Sequence, residues 1–394
     1  MTTVLMLIGL RKTIMSIFIT WGALHLNFYK LVLLLLLNTK PAHRFIPTKV
    51  ATAITLLSQM GPSLPSQQSN IIEENVNEKI NQQFEELITT LPSDKGLIVP
   101  TLINYKGFWY PPISIFKGVL LMQDQFKARS TDIFLCSAPK TGTTWLKALT
   151  FATMNRSKFE FATHPLLTTV PHNCMPYLDA YITDHDVEAL PSPRLLSSHS
   201  AYSLLPKSTR ESPDCKIVYI CRNPKDVFVS DYLFSMKLRA PMFPPISMEE
   251  AFDLFCKGVC LYGPYFEHVL GYWKARLESP EKILFLKYEE MRRDPVKHVK
   301  HLAEFLGKPF SAEEEKAGVI EEILKLCSFD KLTSLEVSKT GKVAFVPEIA
   351  IGNETFYRKG KVGDSKNHLT PEMIERLDKI TEEKLKGTGF AFGE

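Results

Sequence analysis

A single α/β domain, with a central parallel sheet flanked by helices and a P-loop-like anion-binding turn, is the architecture expected of this 394-residue chain. Three observations carry that expectation. The blocks DIFLCSAPKTGTTW, KIVYICRNPKDVFVSDYLF and KILFLKYEEMRRDPVKHVKHLAEFLG each join a short apolar run to polar residues and then to an amphipathic stretch, the order of a parallel βα unit. Hydrophobic residues make up 45% of the chain, enough for a sizeable core. No internal repeat with a period of about 20 to 50 residues and no low-complexity tract breaks the order.

Along the chain, residues 1–68 differ in character from the remainder. TIMSIFITWGALHLNFYKLVLLLLLN, residues 13–38, is long enough to span a bilayer and follows Arg11 and Lys12. His25, Asn27 and Lys30 interrupt it, and LVLLLLL alone is too short. It reads as a signal anchor, an amphipathic targeting piece, or a non-native extension from an imprecise start site, so membrane association through residues 13–37 stays open. MGPSLPSQQSN reads as a linker and divides an atypical extension, 1–68, from the main domain, 69–394. EENVNEKINQQFEELITTLPSD then predicts a surface helix ended by proline.

The 47 basic and 43 acidic residues give a net charge of only +4, too weak and too interspersed for a nucleic-acid surface. The seven cysteines are odd in number with no C-x-x-C pair, which favours a reducing compartment. Cys256 and Cys260 have a spacing that could ligate metal, but the sequence fits two core or half-buried thiols better.

In open parallel sheets ligands bind beyond the carboxyl ends of the strands, so the polar ends of the three blocks are expected to converge on one crevice. In PKTGTTW the side chains of Lys140, Thr141, Thr143 and Thr144, with the backbone amides of a helix start, form a dense donor set for one compact anion. Lys140 precedes Gly142, so this is not the G-x-x-x-x-G-K-[ST] loop of a nucleotide kinase, and carboxylates for magnesium are not evident either. Arg222 follows the run KIVYIC, Pro224 starts a helix, and Ser230 lies about two turns beyond Arg222, a placement suited to a second phosphate. Arg222 could equally pair with Asp226 or Asp231. FYRKGKVGDSKNHLT gathers Arg358, Lys359, Lys361 and Lys366 around Gly360 and Gly363, glycines that let a backbone approach a ligand closely. Two phosphate loops and a basic flap imply a nucleotide phosphorylated at two positions.

Over residues 75–394 the chain resembles the soluble sulfotransferases, and its plant members most, through YKGFWYPP, PKTGTTWLKALTFA, PRLLSSHSAYSLLP, YICRNPKDVFVSDYLF, LKYEEMRRDP and RKGKVGD. The resemblance implies transfer of a sulfuryl group from 3′-phosphoadenosine-5′-phosphosulfate to a hydroxyl of a small acceptor, without a metal, in the cytoplasm. It assigns Lys140, Thr141, Gly142, Thr143, Thr144 and Trp145 to the 5′-phosphosulfate and adenine, and Arg222 and Ser230 to the 3′-phosphate. It also places Tyr288, Ser328 and Phe329 by the adenine, and Arg358, Lys359 and Gly360 on the 3′-phosphate. It makes His199 the general base, and Lys140 then neutralises charge on the leaving phosphate oxygen.

The acceptor class is left broad: flavonoid or other phenolic, steroid, hydroxyjasmonate or desulfoglucosinolate. Phe108, Trp109, Tyr110, Met175, Tyr177 and Tyr202 are candidate walls for it, each with a core-packing alternative. The sequence departs from the resemblance at Ser365, where tryptophan is expected, and at Ser200 and Ala201, where a bulky residue and proline are expected. No dimerisation motif of the animal members is recognisable, so the oligomeric state is open. A membrane-anchored Golgi-type sulfotransferase is the alternative that residues 13–37 suggest, and the unpaired cysteines speak against it.

Overall fold

The computed structural model describes residues 81–394 apart from positions 83, 240 and 394. The segment 13–38, the extension 1–68, the linker and the boundary at 69 lie outside the described residues. So does the start of the expected surface helix, whose later part is helical over 84–90. Among the described residues no helix is long and apolar enough to cross a membrane.

The chain opens with a small antiparallel sheet, β1 (Ser93–Lys95), β2 (Thr101–Tyr105) and β3 (Phe108–Tyr110). The central sheet is formed by β4 (Ile133–Ser137), β5 (Leu195–Ser198), β6 (Lys216–Cys221) and β7 (Ile283–Lys287), in the order β5-β4-β6-β7 and parallel throughout. A late hairpin, β8 (Lys342–Val346) with β9 (Ile349–Gly352), completes the strands. The three expected strands all form. β5 adds a fourth, at the apolar run that ends just before His199.

Strands covered on both faces can be apolar continuously, and β4 is buried at every position. Its side chains alternate between two cores. Phe134 and Cys136 join Ile217, Tyr219 and Cys221 on one side, while Ile133 and Leu135 join Val218 and Ile220 on the other.

Helices labelled α1 to α9 frame the sheet and its ends. The first three are α1 (Ser114–Gln125), α2 (Thr143–Asn155) and α3 (Pro224–Arg239). Then come α4 (Tyr265–Glu278), α5 (Tyr288–Arg293) and α6 (Pro295–Phe305). The last three are α7 (Val319–Leu326), α8 (Phe329–Ser334) and α9 (Pro371–Leu385). Helices α1, α3 and α4 cover the first face through Phe116, Phe228 and Val269, and α2, α6 and α7 cover the second through Leu149, Leu302 and Ile323.

Register fixes where the strands end. Cys136 stands opposite both Ser198 and Tyr219, and Cys221 stands opposite Lys287. The residues that come after these strands therefore leave the sheet from one edge, and they are the loop 138–142, His199, Arg222 and Tyr288.

At the other edge a buried ion pair ties two strand starts together. Arg194 donates from Nε to Asp132 Oδ1 (2.8 Å) and from Nη2 to Asp132 Oδ2 (2.5 Å), with both side chains at 0% exposure. The same residues join the ladder through their backbones, since Ile133 N–H donates to the Arg194 carbonyl and Lys216 N–H to that of Asp132, each at 3.0 Å. Arg194 also pairs with Glu188 (2.7 Å), but among the described residues Asp132 has no other cation, so removing Arg194 leaves the Asp132 charge buried and unpaired. Arg194→Met is therefore expected to lower the unfolding free energy by about 3–5 kcal/mol in chemical denaturation. A loss below about 1 kcal/mol would show that the pair adds little beyond an exposed one.

Candidate active site

The loop between β4 and α2 owes its shape to two left-handed residues, Lys140 (φ 67°) and Gly142 (φ 112°). Gly142 is required twice over. Its φ disfavours a side chain, and a Cβ there would stand 2.7 Å from Tyr288 Cδ2. Gly360 meets the same demand across the cavity, where a Cβ would lie 2.6 Å from Phe329 Cδ2. Both glycines bring backbone against an aromatic ring. Trp145, Tyr288 and Phe329 line the cavity between them, with Trp145 edge-on to Tyr288 at 5.9 Å.

The expected threonines divide. Thr144 lines the cavity, and Thr143 shares a 2.7 Å hydroxyl contact with Ser137 Oγ. The Thr141 hydroxyl is spent inside the loop on the Ala138 carbonyl (2.8 Å), and Thr141 is fully buried and does not line the cavity. Ser328 likewise turns away. Its Oγ caps α8, accepting from Lys331 N–H (3.1 Å) and donating to the Lys325 carbonyl (2.9 Å), and so sets the start of the helix that presents Phe329.

Cations gather at one end. Lys140 lies over the Phe234 ring at 3.8 Å, and burial, with Arg358 and Arg222 nearby and Asp231 opposing, pushes its ammonium down to about 8. Arg222 is held from several sides. Nη2 donates to Asp226 Oδ2 (3.1 Å) and to the Lys361 carbonyl (2.8 Å), its guanidinium covers Tyr288 at 4.6 Å, and its Nε is buried without an acceptor. Asp231 makes no ion pair with it. An orphaned guanidinium N–H beside Lys140 and the hydroxyl of Ser230, in one cavity, fits an anionic oxygen from outside the chain.

Asp226 also anchors the basic flap. It accepts the backbone N–H of Gly363 (2.7 Å) and of Ser365 (2.9 Å). The serine that replaces the expected tryptophan is thus buried, with its backbone held and its side chain filling little space. Within the flap Asp364 pairs with Lys359 Nζ (2.8 Å) and with Arg358, and these partners, Lys359 foremost, hold its carboxyl far below the usual carboxylate range.

His199 stands beside the loop between β4 and α2, joined to it through Ser137. Its Nδ1 lies 2.7 Å from the Ser137 carbonyl, which only accepts, so Nδ1 carries the proton and Nε2 keeps its lone pair. Burial pushes the imidazole down to about 3; the Ser137 carbonyl opposes this, while Lys147, His268 and Lys140 add to it. Its ring lies 5.2 Å from that of Tyr177 and 5.5 Å from that of Tyr262.

Of the six candidate acceptor walls only Tyr177 lines the cavity. Tyr110 is core, packed on Phe116 and Tyr262; Phe108 faces His268; and Tyr202 packs on Tyr272. Met175 supplies a carbonyl to Lys147, and Trp109 exchanges backbone hydrogen bonds with Tyr262 and Gly263. The walls that sequence missed are Tyr262, His172, Phe345, Phe356 and Lys147. Tyr262, with φ 62°, precedes a Gly-Pro turn, a local signal that could have found it. Phe345 lies on a hairpin that carries no motif, and Phe356 opens the FYRKG segment, whose basic residues are the stronger signal. The seven cysteines are all free thiols, and among the described residues no group of metal-ligating side chains assembles.

A family model described as a sulfotransferase domain matches residues 130–389. The chain is 49% identical over 317 residues to cytosolic sulfotransferase 17 of Arabidopsis thaliana, which covers 79% of this chain and 91% of the relative. It is 49% identical over 312 residues to flavonol 3-sulfotransferase of Flaveria bidentis, covering 78% and 99%. Among solved structures, an Arabidopsis thaliana sulphotransferase superposes with a TM-score of 0.63 at 37% identity, covering 80% of this chain and 97% of the other. A mouse sulfotransferase complexed with PAP superposes at 0.58 and 29% identity, covering 73% and 94%.

The state of His199 can be tested directly. An unfolded imidazole protonates near 6.5 and this one near 3, so between those values the unfolded chain binds more protons. Through this group stability falls as pH drops from 6.5 toward 3. Imidazole resonances assigned with a His199→Gln control should show no titration between about pH 8 and 5. A midpoint near 6.5 would contradict the buried, neutral ring.

Proposed function

We propose that this chain, which belongs to the sulfotransferase family and is an enzyme of sulfuryl transfer, sulfates a hydroxyl on an aromatic acceptor seated beside His199. The observation that carries this reading is the composition of one cavity, cationic at the Lys140 and Arg222 end and lined by Tyr177, Tyr262, Phe345 and Phe356 near His199. Aromatic walls favour a planar phenolic acceptor. Relatives named flavonol 3-sulfotransferase and flavonol 4′-sulfotransferase make flavonols the first class to try. Relatives named cytosolic and seven unpaired thiols support a cytoplasmic protein.

The donor, 3′-phosphoadenosine-5′-phosphosulfate, supplies the electrophilic sulfur and leaves as the 3′,5′-bisphosphorylated nucleotide. In this reading the amides of residues 142–144, the Thr143 and Thr144 hydroxyls and Lys140 hold its 5′ end. Trp145, Tyr288 and Phe329 flank the adenine. Arg222 through its orphaned Nε, Ser230, Arg358, Lys359 and the Gly360 backbone take the 3′-phosphate. Ser137 fixes the tautomer of His199, whose Nε2 accepts the acceptor hydroxyl's proton as the oxygen attacks. Lys140 neutralises charge as it develops on the leaving phosphate oxygen. These cations supply the positive charge that a metal would otherwise bring.

Binding and turnover should separate. His199→Ala is expected to lower kcat by about 10²- to 10⁴-fold while the bisphosphorylated nucleotide binds nearly as before by calorimetry. A mutant with near wild-type kcat would remove His199 from proton transfer. Arg222→Ala and Arg358→Ala should instead weaken nucleotide binding, by about 10- to 100-fold where the contact is desolvated. An effect confined to the acceptor's KM would reassign them. Activity toward a flavonol should also survive excess chelator, where a magnesium-dependent kinase would stop.

A further inference from the structure

Lys147 takes no part in the chemistry above. It sits on α2 one turn beyond Thr143, is 2% exposed, and lines the cavity. Its Nζ donates to one acceptor, the Met175 carbonyl at 3.1 Å, and among the described residues it makes no ion pair. Buried lysines are ordinarily paired with a carboxylate, because an ammonium out of water otherwise loses its solvation unrepaid. Burial accordingly pushes this one down to about 7, opposed by Cys174 and Asp179.

Its neighbours place it at the acceptor end. The carbonyl it holds, that of Met175, lies two residues before Tyr177, whose ring stands 5.2 Å from that of His199, and Lys147, Tyr177, His172 and His199 share one lining. His172, in the same lining, is stacked on Phe356 at 3.9 Å, meets Phe345 edge-on at 6.0 Å, and has its Nδ1 buried without a partner. A donor with unused N–H groups thus stands in the same lining as the proposed base and among aromatic walls.

We propose that Lys147 recognises a second oxygen on the acceptor, a carbonyl or ionised oxygen adjacent to the hydroxyl that receives the sulfuryl group. The inference rests on the reading of the cavity beside His199 as the acceptor site. Whether ammonium or amine, Nζ donates, and an accepting oxygen next to the reacting hydroxyl supplies the partner that the chain withholds. A 3-hydroxyflavone skeleton, with its hydroxyl beside the ring carbonyl, has this arrangement. A phenol with a lone hydroxyl does not.

The test uses 1-acetyl-2-naphthol and 2-naphthol, which differ by one acetyl group whose carbonyl lies beside the hydroxyl, titrated into the full chain saturated with the bisphosphorylated nucleotide. Wild type should prefer the acetyl compound. Lys147→Met should reduce that preference by about 10- to 100-fold, the range for one charge-assisted hydrogen bond. Lys147→Gln, which keeps a donor for the Met175 carbonyl, should fall between the two. An equal loss for both naphthols with a lowered thermal midpoint would mean that Lys147 only braces that carbonyl. A comparable loss of nucleotide affinity, or of kcat with both naphthols, would give it to the transferred group instead, and either result overturns the proposal. Wild type that binds and sulfates neither naphthol nor any flavonol would overturn the phenolic reading itself and this inference with it.

Discussion

Parallel pairing in register is the constraint on which the site rests. Each strand of the central sheet ends within one residue of its neighbour, so Ser137, Ser198, Cys221 and Lys287 release their following residues into the same space. None of the groups beyond those ends is a close sequence neighbour of the others. Backbone hydrogen bonds far from any ligand therefore decide that a basic loop, an imidazole, a guanidinium and an aromatic ring share one cavity. The buried Arg194 and Asp132 pair at the opposite edge serves the same alignment, since both residues also enter the ladder through their backbones.

On that frame the chemistry is divided by polarity. Lys140, Arg222 and Arg358 crowd together, and their mutual repulsion is relieved by Asp226, Asp231 and Asp364 standing behind them. Beside the loop that carries Lys140, His199 is neutral and flanked by the Tyr177 and Tyr262 rings, with the Ser137 carbonyl fixing its tautomer. Such a gradient suits a reaction in which a dense anion must be held at one place and a proton removed at another.

Much of this was legible in the sequence, for a physical reason. Strand, turn and helix are local, so the three βα blocks announced themselves, and the donors they carry needed only the rule that ligands gather beyond strand ends. Gly360 and Gly363 were legible as close-approach glycines; the structure gives Gly360 an aromatic ring to approach, whereas a Cβ at Gly363 would meet nothing within 4 Å. What sequence could not assign was the direction of a hydroxyl. Thr141 and Ser328 have the right chemistry at the right place, yet their oxygens satisfy nearby backbone because a buried amide or carbonyl is costly to leave unpaired. The acceptor walls were the least legible. Phe345 and Phe356 come from a hairpin region far along the chain from the helix that carries Lys147, and only the closed fold brings them to His172. Phe108, Trp109 and Tyr110 looked equally aromatic but pack the core and brace Tyr262.

The pairing of Asp364 with both Arg358 and Lys359 has a consequence for how affinity responds to ionic strength. A phosphate reaching these side chains does not meet bare cations with loosely condensed counterions. It competes with a carboxylate already attached to the same loop, and much of the attraction is an exchange of one anion for another. Association should therefore release fewer small ions than the number of basic residues implies, and affinity should decline with added salt more gently than a census of lysines and arginines would suggest. The flap carries its own internal counterion, which lets it stay folded over a concentrated positive charge.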